Sequence, residues 1–75
     1  MDRDTFEREM MRVKTMMNIQ NRDYWAGYQR GLLRKYHGEK FGTDDEHEKW
    51  MSMAGDTDKG RADRGQGYRD GFNQG

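Results

Sequence analysis

Four carboxylates, Asp44, Asp45, Glu46 and Glu48, crowd one short stretch of the chain, with His47 among them and His37 a loop upstream. Residues of these types could do three kinds of chemistry. Paired carboxylates serve acid–base catalysis when their surroundings push their pKa values apart. Four acids on an exposed helical turn share one environment, so no catalytic pair is expected. Histidines with Glu39, Asp44 and Asp45 between them are metal-ligating types. Their spacing matches no helical ligand pair, and structural zinc sites use cysteines or closely paired histidines. Hence no metal and no cofactor are expected. Nucleophilic catalysis lacks a carrier: there is no cysteine, and Ser52 is the one serine, with no base at a telling spacing. Gly27 and Gly31 lie inside a helical pattern rather than after a strand, so they do not cradle phosphates. The chain reads as a non-enzyme. Asp44, Asp45, Glu46 and Glu48 are then candidates either for capping and charge balance within the fold or for meeting a partner.

The element that positions these acids has the clearest start in the sequence. Thr43-Asp44-Asp45-Glu46 is a capping box with acids in the first turn, where the helix dipole favours them. His47, Trp50, Met51 and Ala54 share one face of this helix, and Gly55 closes it. Upstream, Phe6, Met10, Val13 and Met17 mark an amphipathic helix from about Asp4 to Ile19, with Met11 and Met16 on a more exposed edge. A second helix opens near Asn21 or Asp23, carries Trp25, Tyr28, Leu32 and Tyr36 on one face, and ends at Gly38. Gly38 to Gly42 reads as a loop. A fourth segment, about Thr57 to Phe72, holds Gly60, Gly65, Gly67 and Gly71, each costing roughly 1 kcal/mol inside a helix relative to Ala. It is therefore either a helix whose glycines serve close packing or a frayed tail over about 57–75.

Strand signals are nearly absent, with one Val, one Ile and no alternating run. The expected fold is all-α: a small bundle of three to four short helices in a single domain over 1–75. The chain of 75 residues can bury only a thin core. Charged residues make up 37% and hydrophobic ones 31%, a balance that leans toward disorder, but zero net charge and 12% aromatics favour a folded domain. No stretch approaches the ~20 apolar residues that span a bilayer, and the charged N-terminus lacks a signal-peptide run, so a cytoplasmic location without membrane contact is expected.

Two segments repeat. Asp23-Tyr-Trp-Ala-Gly27-Tyr28-Gln-Arg-Gly31-Leu32 aligns with Asp63-Arg-Gly-Gln-Gly67-Tyr68-Arg-Asp-Gly71-Phe72. Glycines four apart lie on one helix face and let another backbone approach closely. This predicts glycine-face packing of the second helix on the fourth, flanked by Tyr28 and Tyr68; a homodimer could satisfy the same pattern between chains.

Charge is balanced in total but blocked along the chain. Arg22, Arg30, Arg34, Lys35 and Lys40 precede the acids; Lys59, Arg61, Arg64 and Arg69 follow them. Three readings are open. The acidic helix can neutralise its basic neighbours. It can instead face a basic nucleic-acid channel as a decoy for phosphates. Or Arg30, Arg34, Lys35, Arg61, Arg64 and Arg69 can bind nucleic acid directly, against the absence of the usual basic excess. Of the methionines, Met10, Met17 and Met51 suit core filling, while Met11, Met16 and Met53 suit exposed contact.

In size and style the chain resembles short proteins of phages and mobile elements, on the stretches Tyr24-Trp-Ala-Gly-Tyr-Gln-Arg-Gly-Leu, Tyr36-His-Gly-Glu-x-Phe-Gly-Thr-Asp and Gly67-Tyr-Arg-Asp-Gly. These stretches satisfy no named motif, so the resemblance carries over no residue role. It implies an inhibitor of host defence, of the anti-CRISPR kind, whose partner is a host protein or nucleoprotein complex in the host cytoplasm.

Overall fold

The computed structural model describes residues 1–74; Gly75 lies outside the described residues. Four helices form: α1 (Arg3–Ile19), α2 (Arg22–His37), α3 (Asp44–Ser52) and α4 (Lys59–Asn73). Short 3₁₀ turns, Gly38–Phe41 and Met53–Gly55, follow α2 and α3, and no strand occurs among the described residues. The protein is an all-α bundle. None of these helices is long and apolar enough to cross a membrane.

Each helix starts on a side-chain cap. Asp2, Asn21, Thr43 and Asp58 accept hydrogen bonds from the backbone N–H groups of Thr5, Tyr24, Glu46 and Arg61, which would otherwise have no helical partner. Asn21 takes a positive φ of 23°, allowing α2 to begin almost as soon as α1 ends. Gly38, at φ 69°, ends α2 in a backbone conformation that side chains disfavour. The expected loop at 38–42 is thus mostly a 3₁₀ turn. α3 is shorter than expected, because its last turn tightens into 3₁₀ geometry before Gly55.

The core sits along α2. Val13, Trp25, Tyr28 and Leu32 are buried together, with Phe6, Met10, Met16, Met17 and Tyr24 packed around them. Arg12 lies over the rings of Trp25 and Tyr28 while Phe6 stacks on Tyr36 at 4.2 Å, so α1 runs antiparallel to α2. His47 likewise meets Tyr68 and Phe72, and Met53 meets Gly65, so α3 runs antiparallel to α4. Met11 remains exposed as expected, but Met16 packs against the core and Met53 is half-buried under Gly65. Those two methionines do not form the exposed contacts expected of them.

The repeat accounts for the centre of the molecule. A methyl group on Gly27 would overlap the Arg64 carbonyl, and one on Gly67 would overlap the Tyr24 carbonyl. Gly31 and Gly71 abut the Tyr68 and Tyr28 carbonyls in the same reciprocal way. Because Gly27 meets Arg64 and Gly31 meets Tyr68, α2 and α4 run parallel. The exchange of equivalent positions makes them a pseudo-two-fold pair. The glycine hydrogens that replace side chains face main-chain carbonyls of the opposite helix, the geometry of weak Cα–H···O contacts. Close packing on this scale compensates the low helix propensity of the glycines, which is why Lys59–Asn73 is helical rather than frayed. Parallel alignment brings two positive helix ends together. Asp23, Asp58 and Asp63 gather there, while Arg34 and Lys35 occupy the opposite end of α2.

Candidate functional site

The four acids of α3 divide into two pairs. Thr43 accepts the Glu46 N–H at 3.2 Å, forming the first half of the expected capping box. The second half does not form, because the Glu46 carboxylate turns toward Arg30, 3.9 Å away. Asp44 accepts from Arg34 Nη2 at 3.0 Å. That pair is asymmetric: the Arg34 side chain is 11% exposed and that of Asp44 is 79% exposed. The arginine is the buried anchor, and the acid keeps its charge compensated from the surface. Asp45 and Glu48 are exposed and have no ion pair or side-chain hydrogen bond among the described residues. Lys49, one turn beyond Asp45, makes no ion pair with it.

The inner face of α3 fixes its orientation. His47 Nδ1 lies 2.8 Å from the Tyr68 hydroxyl, and Trp50 stacks on the Tyr68 ring at 5.3 Å. His47 also packs on Phe72 at 4.4 Å, and Lys35 places its ammonium 5.1 Å from the Phe72 ring on the far side of the cluster. Tyr68 is almost wholly buried, and burial pushes its phenol pKa up, opposed by the nearby Arg34 and Arg30 charges. A helix of only nine residues is thus held on its inner side by a hydrogen bond and stacked rings, while Arg34 and Arg30 pair with acids of its exposed first turn. His47 is a packing histidine with a ring nitrogen hydrogen-bonded to Tyr68.

Four of the six basic residues of the alternative reading pair with acids of the same chain, two of them at its surface. Arg34 holds Asp44, Arg61 holds Asp56 at 3.2 Å and Arg64 holds Asp23 at 3.1 Å. Arg30 lies over the Phe41 ring and near Glu46. Lys35 and Arg69 make no ion pair among the described residues. The neighbouring blocks of basic and acidic sequence signalled the Arg34 and Arg30 contacts. Nothing in the local sequence pointed to the long-range bonds of Tyr24 to Asp70 at 2.5 Å and of Tyr28 to Glu9 at 3.0 Å. These tyrosines were legible as core rings, but their hydroxyl partners depend on how the helices cross.

The described residues contain no group of three or more metal-ligating side chains and enclose no ligand-sized cleft. No family model, curated protein or solved structure matches this chain.

Proposed function

We propose that this is a non-enzymatic binding protein, an inhibitor of the anti-defence type, that docks the outer edge of α3 on a basic surface of a partner protein or nucleoprotein complex. In this reading Asp45 and Glu48 meet cations that would otherwise bind nucleic-acid phosphates. The observation that carries it is the division of the four acids. Asp44 and Glu46 are turned onto Arg34 and Arg30, while Asp45 and Glu48 stand free on the same clamped helix. Rigid presentation lowers the ordering cost of association, and uncompensated charge speeds encounter with a surface of opposite sign. The resemblance to phage and mobile-element proteins supplies the class of partner, a host defence complex, and with it the host cytoplasm.

Direct nucleic-acid binding through Arg30, Arg34, Lys35, Arg61, Arg64 and Arg69 has less support, since the net charge is zero and the usual basic excess is absent. A gel shift across a salt series separates the two readings, because phosphate-driven binding weakens steeply with salt. The direct test is affinity capture from bacterial lysate. Wild type is run beside a variant carrying Asp44→Asn, Asp45→Asn, Glu46→Gln and Glu48→Gln, with bound proteins challenged by DNA. A nucleic-acid-binding protein captured by wild type, released by DNA and missed by the folded variant is the expected result. Equal capture by both would overturn the role given to the acids.

A further inference from the structure

The glycine faces of α2 and α4 are consumed within one chain, so they leave nothing for a second copy to pair with. The outer face of α1 is different. Asp4, Glu7, Met11, Lys14 and Asn18 recur at spacings of three and four, and all of them are exposed. Among the described residues Met11, 70% exposed, and Ile19 are the large hydrophobic side chains left on the surface, and both lie on this helix. Charge along α1 is polarised. Asp2 caps it and Asp4 and Glu7 fall in its first half, partly offset by Arg3 and Arg8, while Glu9 is turned inward onto Tyr28 and Arg12. Arg12 and Lys14 follow with no acid beyond Glu9, and Arg22 begins α2 just past its end. Glu7 is held only by an exposed pair with Arg3, an arrangement of little energetic weight that a new partner can displace.

We infer that the outer face of α1 is a self-association surface whose occupant is α1 of a second copy, packed antiparallel across a two-fold axis near Met11. A parallel pairing would set acids on acids and bases on bases. The antiparallel one sets Asp4 and Glu7 of one copy against the Lys14 and Asn18 end of the other, with the two Met11 side chains in contact at the axis. An isologous two-fold contact of this kind closes on itself and yields a dimer rather than a fibre. One helix pair buries less than the ~1,200 Å² typical of a stable specific interface, so the dimer is weak and depends on concentration. α3 packs on α4 rather than on α1, so each copy keeps its own acidic edge. The inference does not rest on the role proposed for that edge.

Sedimentation equilibrium of the full chain, from low micromolar to millimolar concentration, tests it. The expected mass rises from 9.0 kDa toward twice that value, and the rise is suppressed by salt. Met11→Glu sets like charges on the axis and is expected to weaken association about tenfold or more. Lys14→Glu is expected to weaken it as well, and adding Glu7→Lys to that variant restores it by exchanging the two signs. All of these positions are exposed, and circular dichroism checks that each variant keeps its helix content. A mass fixed at that of the monomer throughout would overturn the proposal. So would a dimer indifferent to Met11 and Lys14, or one that the paired exchange fails to rescue.

Discussion

The two halves of this molecule share a seam and differ in what they pack on it. α1 and α2 form a conventional half. A long helix lays Val13, Met10 and Met17 beside Trp25, Tyr28 and Leu32, and stability comes mainly from apolar area removed from water. α3 and α4 form the other half around Tyr68, where the contacts are aromatic and polar: His47 on the hydroxyl, Trp50 on the ring, Phe72 beyond. α3 has no fully buried residue of its own and stays in place through directed contacts and paired charge. The difference separates two tasks. Non-directional burial makes the fold, and directional contacts aim a short charged helix.

The comparison breaks first if the shared seam is not what joins the halves. Gly27→Leu or Gly67→Leu, each driven into a facing carbonyl, is expected to cost about 3 kcal/mol or more, enough to unfold a domain of this size. Gly55→Ala is the control. Gly55 is exposed with open space around it, and the change is expected to be neutral or to stabilise by up to about 1 kcal/mol, read as a melting temperature. The apolar half is probed next. Leu32 is fully buried, and Leu32→Ala is expected to cost about 2–5 kcal/mol in chemical denaturation.

Alkaline titration touches both halves. Tyr24, Tyr28 and Tyr68 hold their phenolic protons more tightly than exposed tyrosines, mainly through burial, with added contributions from Asp70 at Tyr24 and Glu9 at Tyr28. Below the ordinary tyrosine value near 10, the folded and unfolded chains both keep these protons and stability is unaffected. Above it the unfolded chain releases them first, so stability falls as pH rises toward the raised folded values. Melting curves across this range should decline, and Tyr24→Phe should flatten the decline. The smallest effect sharpens the contrast on the polar side. Tyr68→Phe keeps the stacked ring, loses the bond to His47, and is expected to cost about 1 kcal/mol.

Much of this fold was legible because its signals are local. Periodicity showed α1 and α2, the Thr43 cap showed α3, and the repeated glycine spacing showed which faces of α2 and α4 meet. The parallel direction of that pair was not legible, since a glycine face permits either direction; the connection through α3 decides it. The candidate site was legible as a cluster but not as two pairs. Asp44, Asp45, Glu46 and Glu48 look equivalent in sequence, and only the reach of the Arg34 and Arg30 side chains from α2 distinguishes two of them. Met16 and Met53 are more buried than their spacing suggests for a similar reason: α1 buries a wider face than a strict stripe, and Gly65 opens a space on α4 that Met53 fills.

The claim that two acids hold the helix and two face outward is tested most directly by splitting them. Asp44→Asn with Glu46→Gln is compared with Asp45→Asn with Glu48→Gln, each measured for melting temperature and for affinity toward the captured partner. The first pair is expected to lower the melting temperature by leaving Arg34 buried and uncompensated. The second is expected to leave it unchanged while weakening binding about tenfold or more. Binding that survives loss of Asp45 and Glu48, or that falls only in proportion to lost stability, would contradict the account.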